Sequence, residues 1–77
     1  MALVRQFTKG QMNRNSLHDE IDAKYNVFER DGRVVLQIDT FGRTTREMPG
    51  KKSQTIQLDR KGAEALYHII KKSFQLS

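Results

Sequence analysis

Apolar and polar residues alternate twice in the middle of the chain, and the rest of the sequence arranges itself around those two runs. In residues 33–41, Val34, Leu36, Ile38 and Thr40 point one way, while Arg33, Val35, Gln37, Asp39 and Phe41 point the other, a face that Arg43 continues. In residues 53–58, Gln54, Ile56 and Leu58 share a face, and Ser53, Thr55 and Gln57 take the opposite one. A period of two marks a half-buried strand, so each run predicts a strand with one face turned to a core. The other face carries amides, hydroxyls, arginines and an aromatic ring. It reads as a surface for something extended and negatively charged.

Alternation also fills residues 21–30, with Ile21, Ala23, Tyr25 and Val27 on one side and Asp22, Lys24, Asn26, Phe28 and Arg30 on the other. Asp31-Gly32 separates this run from the next. Both residues tolerate the positive φ of a tight turn, so the two runs predict an antiparallel hairpin. Upstream, residues 3–8 read as a short strand or an ordered arm. Gly10 and the polar run 11–16 break any pattern, and Asn15 or Ser16 is placed to cap a short helical turn with Asp19 or Glu20 near its positive end. Downstream, Asp59 stands at a helix N-cap position, and Ala63, Leu66, Tyr67, Ile70 and Phe74 recur at helical spacing over 60–74. This stripe is expected to close the core face of the sheet. Gly62 either weakens the first turn by roughly 1 kcal/mol relative to Ala or admits a neighbouring backbone. Lys71 and Lys72 suit the helix C-terminus. Ile69 lies off the stripe, either as the extra apolar flank a helix-mediated dimer contact would need or as a single exposed isoleucine that requires no explanation. The expected fold is α+β: an antiparallel sheet of three to four strands with one C-terminal helix packed across a face. Residues 1–20 form an arm or short strand, and 21–77 a single domain.

Size changes the picture next. Seventy-seven residues make one small domain whose core is marginal, and cysteine is absent, which removes disulfides and thiolate metal sites. His18 and His68 have no ligand-like spacing. Oligomerisation is the remaining source of burial, so a homodimer is expected. Lack of cysteine fits the cytoplasm. The opening sixteen residues carry no apolar signal-peptide run, and no stretch of about 18 apolar residues occurs, so no membrane association is expected. Formal net charge is +5. Residues 1–40 hold six Lys/Arg and six Asp/Glu, while residues 41–77 hold eight against three. The basic half points to phosphate-bearing partners or anionic lipid, or else to a merely soluble surface.

For catalysis the inventory is poor: no Cys, no Ser–His–Asp arrangement and no Gly-rich phosphate loop. Asp19, Glu20 and Asp22 beside His18 read as a polar turn rather than a metal site, since no matching ligand pair occurs elsewhere. No enzyme activity, cofactor or metal is expected. For nucleic acid the inventory is richer. The loop 42–52 carries Arg43, Arg46, Lys51 and Lys52 with one acid, and Arg33, Arg60 and Lys61 lie at adjoining ends. Such cations can follow a phosphate backbone. Phe28 and Phe41 on a polar strand face suit the stacking of unpaired bases, at about 1–3 kcal/mol per base. Gln37, Asn26 and Gln57 are candidates to reach base edges. The same residues also allow a second arrangement, in which the phenylalanines pack against a partner subunit or under the loop and the charges are solvated.

The residues Gly32-Arg33, 34–38, Phe41, Pro49-Gly50-Lys51-Lys52, Ile56-x-Leu58 and Leu66 with Ile69 or Ile70 resemble the DNA-binding domain of the positive-cofactor-four transcriptional coactivators and their small bacterial relatives. The resemblance covers about fifty residues and leaves the first twenty aside. It implies a homodimer of curved antiparallel sheets that binds single-stranded DNA. It also implies phosphate contacts from Lys51 and Lys52, a basic contact from Arg33 and an aromatic one from Phe41. Three departures stand out: Gly42 where the family often has Trp, Asp39 where an arginine is common, and the extra Gln54-Thr55. The sequence is also similar to short bacterial proteins whose names mention methionyl-tRNA formyltransferase, but the chain is too short for such an enzyme. Two expectations follow. The first is a non-enzymatic single-stranded nucleic-acid-binding module, DNA before RNA, using Arg33, Phe41, Arg43, Arg46, Lys51, Lys52, Phe28 and Gln37. The alternative is a protein-interaction subunit that docks a partner through the same face.

Overall fold

The computed structural model describes residues 1–41 and 52–77, with Lys52 and Ser53 described by their backbone. The strands are β1 (Ala2–Val4), β2 (Ala23–Arg30), β3 (Arg33–Phe41) and β4 (Lys52–Leu58), followed by one helix, α1 (Arg60–Phe74). They form a single sheet of order β1-β4-β3-β2, with α1 packed against β3 and β4. The fold is α+β, as the periodicity implied.

The β2–β3 hairpin turns on Asp31 and Gly32, whose φ values of 54° and 75° give the double left-handed turn that matches strand twist. Its register pairs Arg30 with Arg33, Phe28 with Val35, Asn26 with Gln37 and Lys24 with Asp39. β3 and β4 are antiparallel, pairing Gln37 with Gln57 and Asp39 with Thr55, and their register shifts between Thr40 and Phe41. β1 adds a parallel pair, matching Ala2, Leu3 and Val4 to Ile56, Gln57 and Leu58. The sheet is therefore mixed rather than wholly antiparallel. β1 and β2 are consecutive in sequence yet sit on opposite edges, so residues 5–22 span the width between them. The helical turn expected after Asn15 or Ser16 does not form, and that segment holds no helix or strand.

Three devices fix the helix. The Asp59 carboxylate accepts the Gly62 amide at 3.0 Å, and the Asp59 carbonyl accepts the Ala63 amide at 2.8 Å. Lys71 and Lys72 occupy the last turn, where the helix dipole favours cations. Gln75 then takes the left-handed conformation that ends the helix, and the Leu76 amide donates to the Lys71 carbonyl. Gly62 is the notch for β1. A Cβ there would collide with the Val4 carbonyl oxygen and lie 3.3 Å from the Arg5 Cα.

Burial overturns one expectation. The face of Val34, Leu36, Ile38, Ile56 and Leu58 was to be the covered one, yet only Leu58 is fully buried there, at 2% exposure. Val34, Ile56, Tyr25 and Val27 are exposed. Side chains of the polar face are buried instead: Val35, Thr55 and, at 1% exposure, Asp39. Nor does the helix stripe close the sheet. Ala63 and Leu66 are half-buried, while Tyr67, Ile70 and Phe74 remain open, Phe74 at 73%. Alternation tells which residues share a face; it does not tell which face gains cover.

Candidate nucleic-acid interface

The polar face is built from even positions of β2 and odd positions of β3 and β4, as a period of two requires. At its centre lies a hydrogen-bonded ladder. The Thr55 hydroxyl donates to Asp39 Oδ1 at 2.6 Å, and Gln37 Nε2 donates to both Asp39 carboxylate oxygens at 3.2 Å. Gln57 Nε2 donates in turn to Gln37 Oε1 at 2.9 Å. A carboxylate can be buried only with such partners, because an unpaired charge away from water is very costly. Asp39 thus organises the face. Gln37, a candidate site residue, serves as a link of this ladder between Asp39 and Gln57. Asn26, opposite Gln37, is exposed.

The aromatic residues lie apart. Phe28 is half-buried across from Val35, and Phe41 is half-buried at the far end of β3. Six residue steps separate Val35 from Phe41, a rise of about 20 Å. They are two separate platforms rather than one stack. Beside Phe41, the Lys24 ammonium lies 5.3 Å from the ring centroid, close enough for a cation–π attraction. A cation and an aromatic face thus meet at the C-terminal end of β3.

The cations divide between the two ends of the sheet. Arg43, Arg46 and Lys51 lie outside the described residues. Lys52 opens β4 opposite Phe41. Arg33 stands at the other end, paired with Arg30 across the hairpin and close to the helix start. Arg33 Nη1 approaches Asp59 Oδ2 at 3.9 Å, and Arg5 Nε reaches the same oxygen at 2.7 Å. The Asp59 pKa is lowered from its ordinary value, chiefly by the Gly62 amide and further by the two arginines, while its desolvation opposes the shift. Sequence position alone groups Arg33, Arg60 and Lys61 with the loop cations. Eight residue steps of β3 place Arg33 about 27 Å from Phe41. Arg5, which joins this end through Asp59, is absent from the sequence-based candidates; its only signal is a basic residue directly after a short apolar run.

The acidic cluster of Asp19, Glu20 and Asp22 is exposed together with His18. Among the described residues, no group of three His, Asp or Glu side chains is placed to hold a metal, and no helix is long and apolar enough to cross a membrane. No protein-family model matches the chain, and neither does any curated protein or any solved structure.

Proposed function

We propose that this chain is a non-enzymatic module that binds single-stranded nucleic acid, DNA in preference to RNA, as a cytoplasmic homodimer. The observation that carries the reading is the pairing of Lys24 with Phe41 at the sheet end where the loop cations leave β3. A ring can stack an unpaired base while neighbouring ammonium groups meet the phosphates on either side. Charge supports it: the net +5 lies entirely in the second half of the sequence. The resemblance to the coactivator domain supports it as well, in Arg33, Phe41, Lys51 and Lys52. The dimer is supported by the bare apolar side chains of sheet and helix, which a second copy would cover.

Two variants test the assignment. Lys51→Glu with Lys52→Glu is expected to weaken binding to every sequence alike and to flatten its salt dependence, by about 0.7 in log–log slope for each phosphate no longer neutralised. Phe41→Ala is expected to weaken binding and leave the slope unchanged. A double-lysine variant that binds like the parent would remove the loop from the interface.

The ladder of Gln57, Gln37, Asp39 and Thr55 favours a second reading, a subunit that docks a partner protein on this face. Side chains so held offer a fixed pattern rather than freely adjusting readers of bases. Recovery of a partner protein from nuclease-treated native cell extract would support it, and recovery of nucleic acid alone would count against it.

A further inference from the structure

Arg5, the hairpin turn and the first two turns of α1 enclose an open cleft of about 790 Å³ at the sheet end remote from Phe41. Its charged lining is four cations, Arg5, Arg33, Arg60 and Lys61, against two acids, Asp59 and Glu64, with His68 at the helix side. Asp59 is already committed: it caps the helix and anchors both arginines. Each guanidinium meets it through one nitrogen and stays 55% exposed. Among the described residues, Arg60 and Lys61 take no ion pair and are exposed. The cleft therefore presents oriented guanidiniums and two unneutralised cations around a concave space, and Arg30 lies across the hairpin from Arg33. Because Asp59 caps the helix end itself, an anion here would be held by side chains.

We propose that this cleft is a second phosphate-binding position, one that receives the backbone of the same single strand about 27 Å from the Phe41 end. The proposal rests on the nucleic-acid reading above and extends it. A strand would be gripped at both ends of the sheet, so binding would strengthen once the strand is long enough to reach from one to the other. Phosphodiesters are the ligand chemistry, because guanidinium forks match phosphate oxygens in pairs and ammonium groups add charge without demanding direction.

The test compares two charge-matched variants of the full chain. Arg60→Gln with Lys61→Gln removes the free cations of the cleft. Lys71→Gln with Lys72→Gln removes the same charge from the other end of α1. Each is titrated, with the parent, against a labelled oligothymidylate of about 16 nucleotides and one of about 4, the range of single-module site sizes, over a series of salt concentrations. Thermal melts confirm that each variant is folded. The cleft variant is expected to lose several-fold in affinity for the long strand, with a salt slope shallower by about 1.4, the value for two phosphates. It should also lose most of the parent's advantage for the long strand over the short. The Lys71/Lys72 variant should keep both. Equal losses in the two variants, or no loss in either while the parent binds, would overturn the cleft and leave the nucleic-acid reading standing. A parent that binds neither strand in a salt-dependent way would overturn both.

Discussion

The Asp59 carboxylate joins three parts of the fold: it caps α1, holds Arg5 of the arm and approaches Arg33 of the hairpin. Its folded pKa lies below the ordinary 3.8, so the folded state binds its proton less readily than the unfolded chain does. The stabilisation is therefore complete above the unfolded value and is lost as pH falls below about 4 through the folded one. Asp59→Asn keeps a good capping side chain and removes the charge. It is expected to lower Tm by several degrees at neutral pH and to match the parent once Asp59 is protonated, as thermal melts at stepped pH would show. A difference as large in acid as at neutral pH would mean that the ion pairs contribute nothing. Asp39 plays the corresponding part inside the sheet. Its hydrogen bonds to Thr55 and Gln37 were beyond sequence reading, because they depend on the β3–β4 register. Only the shared parity of residues 37 and 39, and of residues 55 and 57, was visible.

At the scale of elements, Gly62 ties β1 to the rest of the fold. Helix propensity alone favours Gly62→Ala by about 1 kcal/mol. The Val4 carbonyl occupies the space a methyl group would need, so the substitution is expected to push β1 off β4. Hydrogen exchange should then show protection lost at residues 2–4 and kept in α1; unchanged protection at 2–4 would contradict the notch. The strands β2 and β3, the Asp31-Gly32 turn and α1 with its Asp59 cap were all legible, since each follows from local alternation, turn chemistry or helical spacing. The parallel docking of β1 was not legible, because it joins the N-terminus to a strand fifty residues away. The separation of Arg33 from Lys52, by contrast, was legible, since a strand over 33–41 sets Arg33 at one end and the residues after Phe41 at the other. Burial of the polar face was hidden, as alternation is symmetric between the two faces.

At the scale of the whole molecule, the described residues bury little apolar surface. Among the described residues, Val35 and Leu58 are the only buried apolar side chains, and Tyr25, Val27, Ile56, Tyr67, Ile69, Ile70 and Phe74 are exposed. The radius of gyration is 14.8 Å, where a compact chain of this length would measure about 11–12 Å. The proposed homodimer would cover this apolar surface with a second copy. Tyr67→Glu with Ile70→Glu is expected to convert a dimer to a monomer at micromolar concentration, read by light scattering; a parent chain that is already a 9.0 kDa monomer would remove the dimer. Pairing two sheets would also double the number of cationic ends offered to a strand. Titration of the parent with a single-stranded DNA, its duplex and the matching RNA at two salt concentrations shows whether the proposed surface holds single-stranded nucleic acid. Tight, salt-sensitive binding with the DNA single strand preferred is expected. Weak binding, equal for all three and gone at physiological salt, would contradict the proposal.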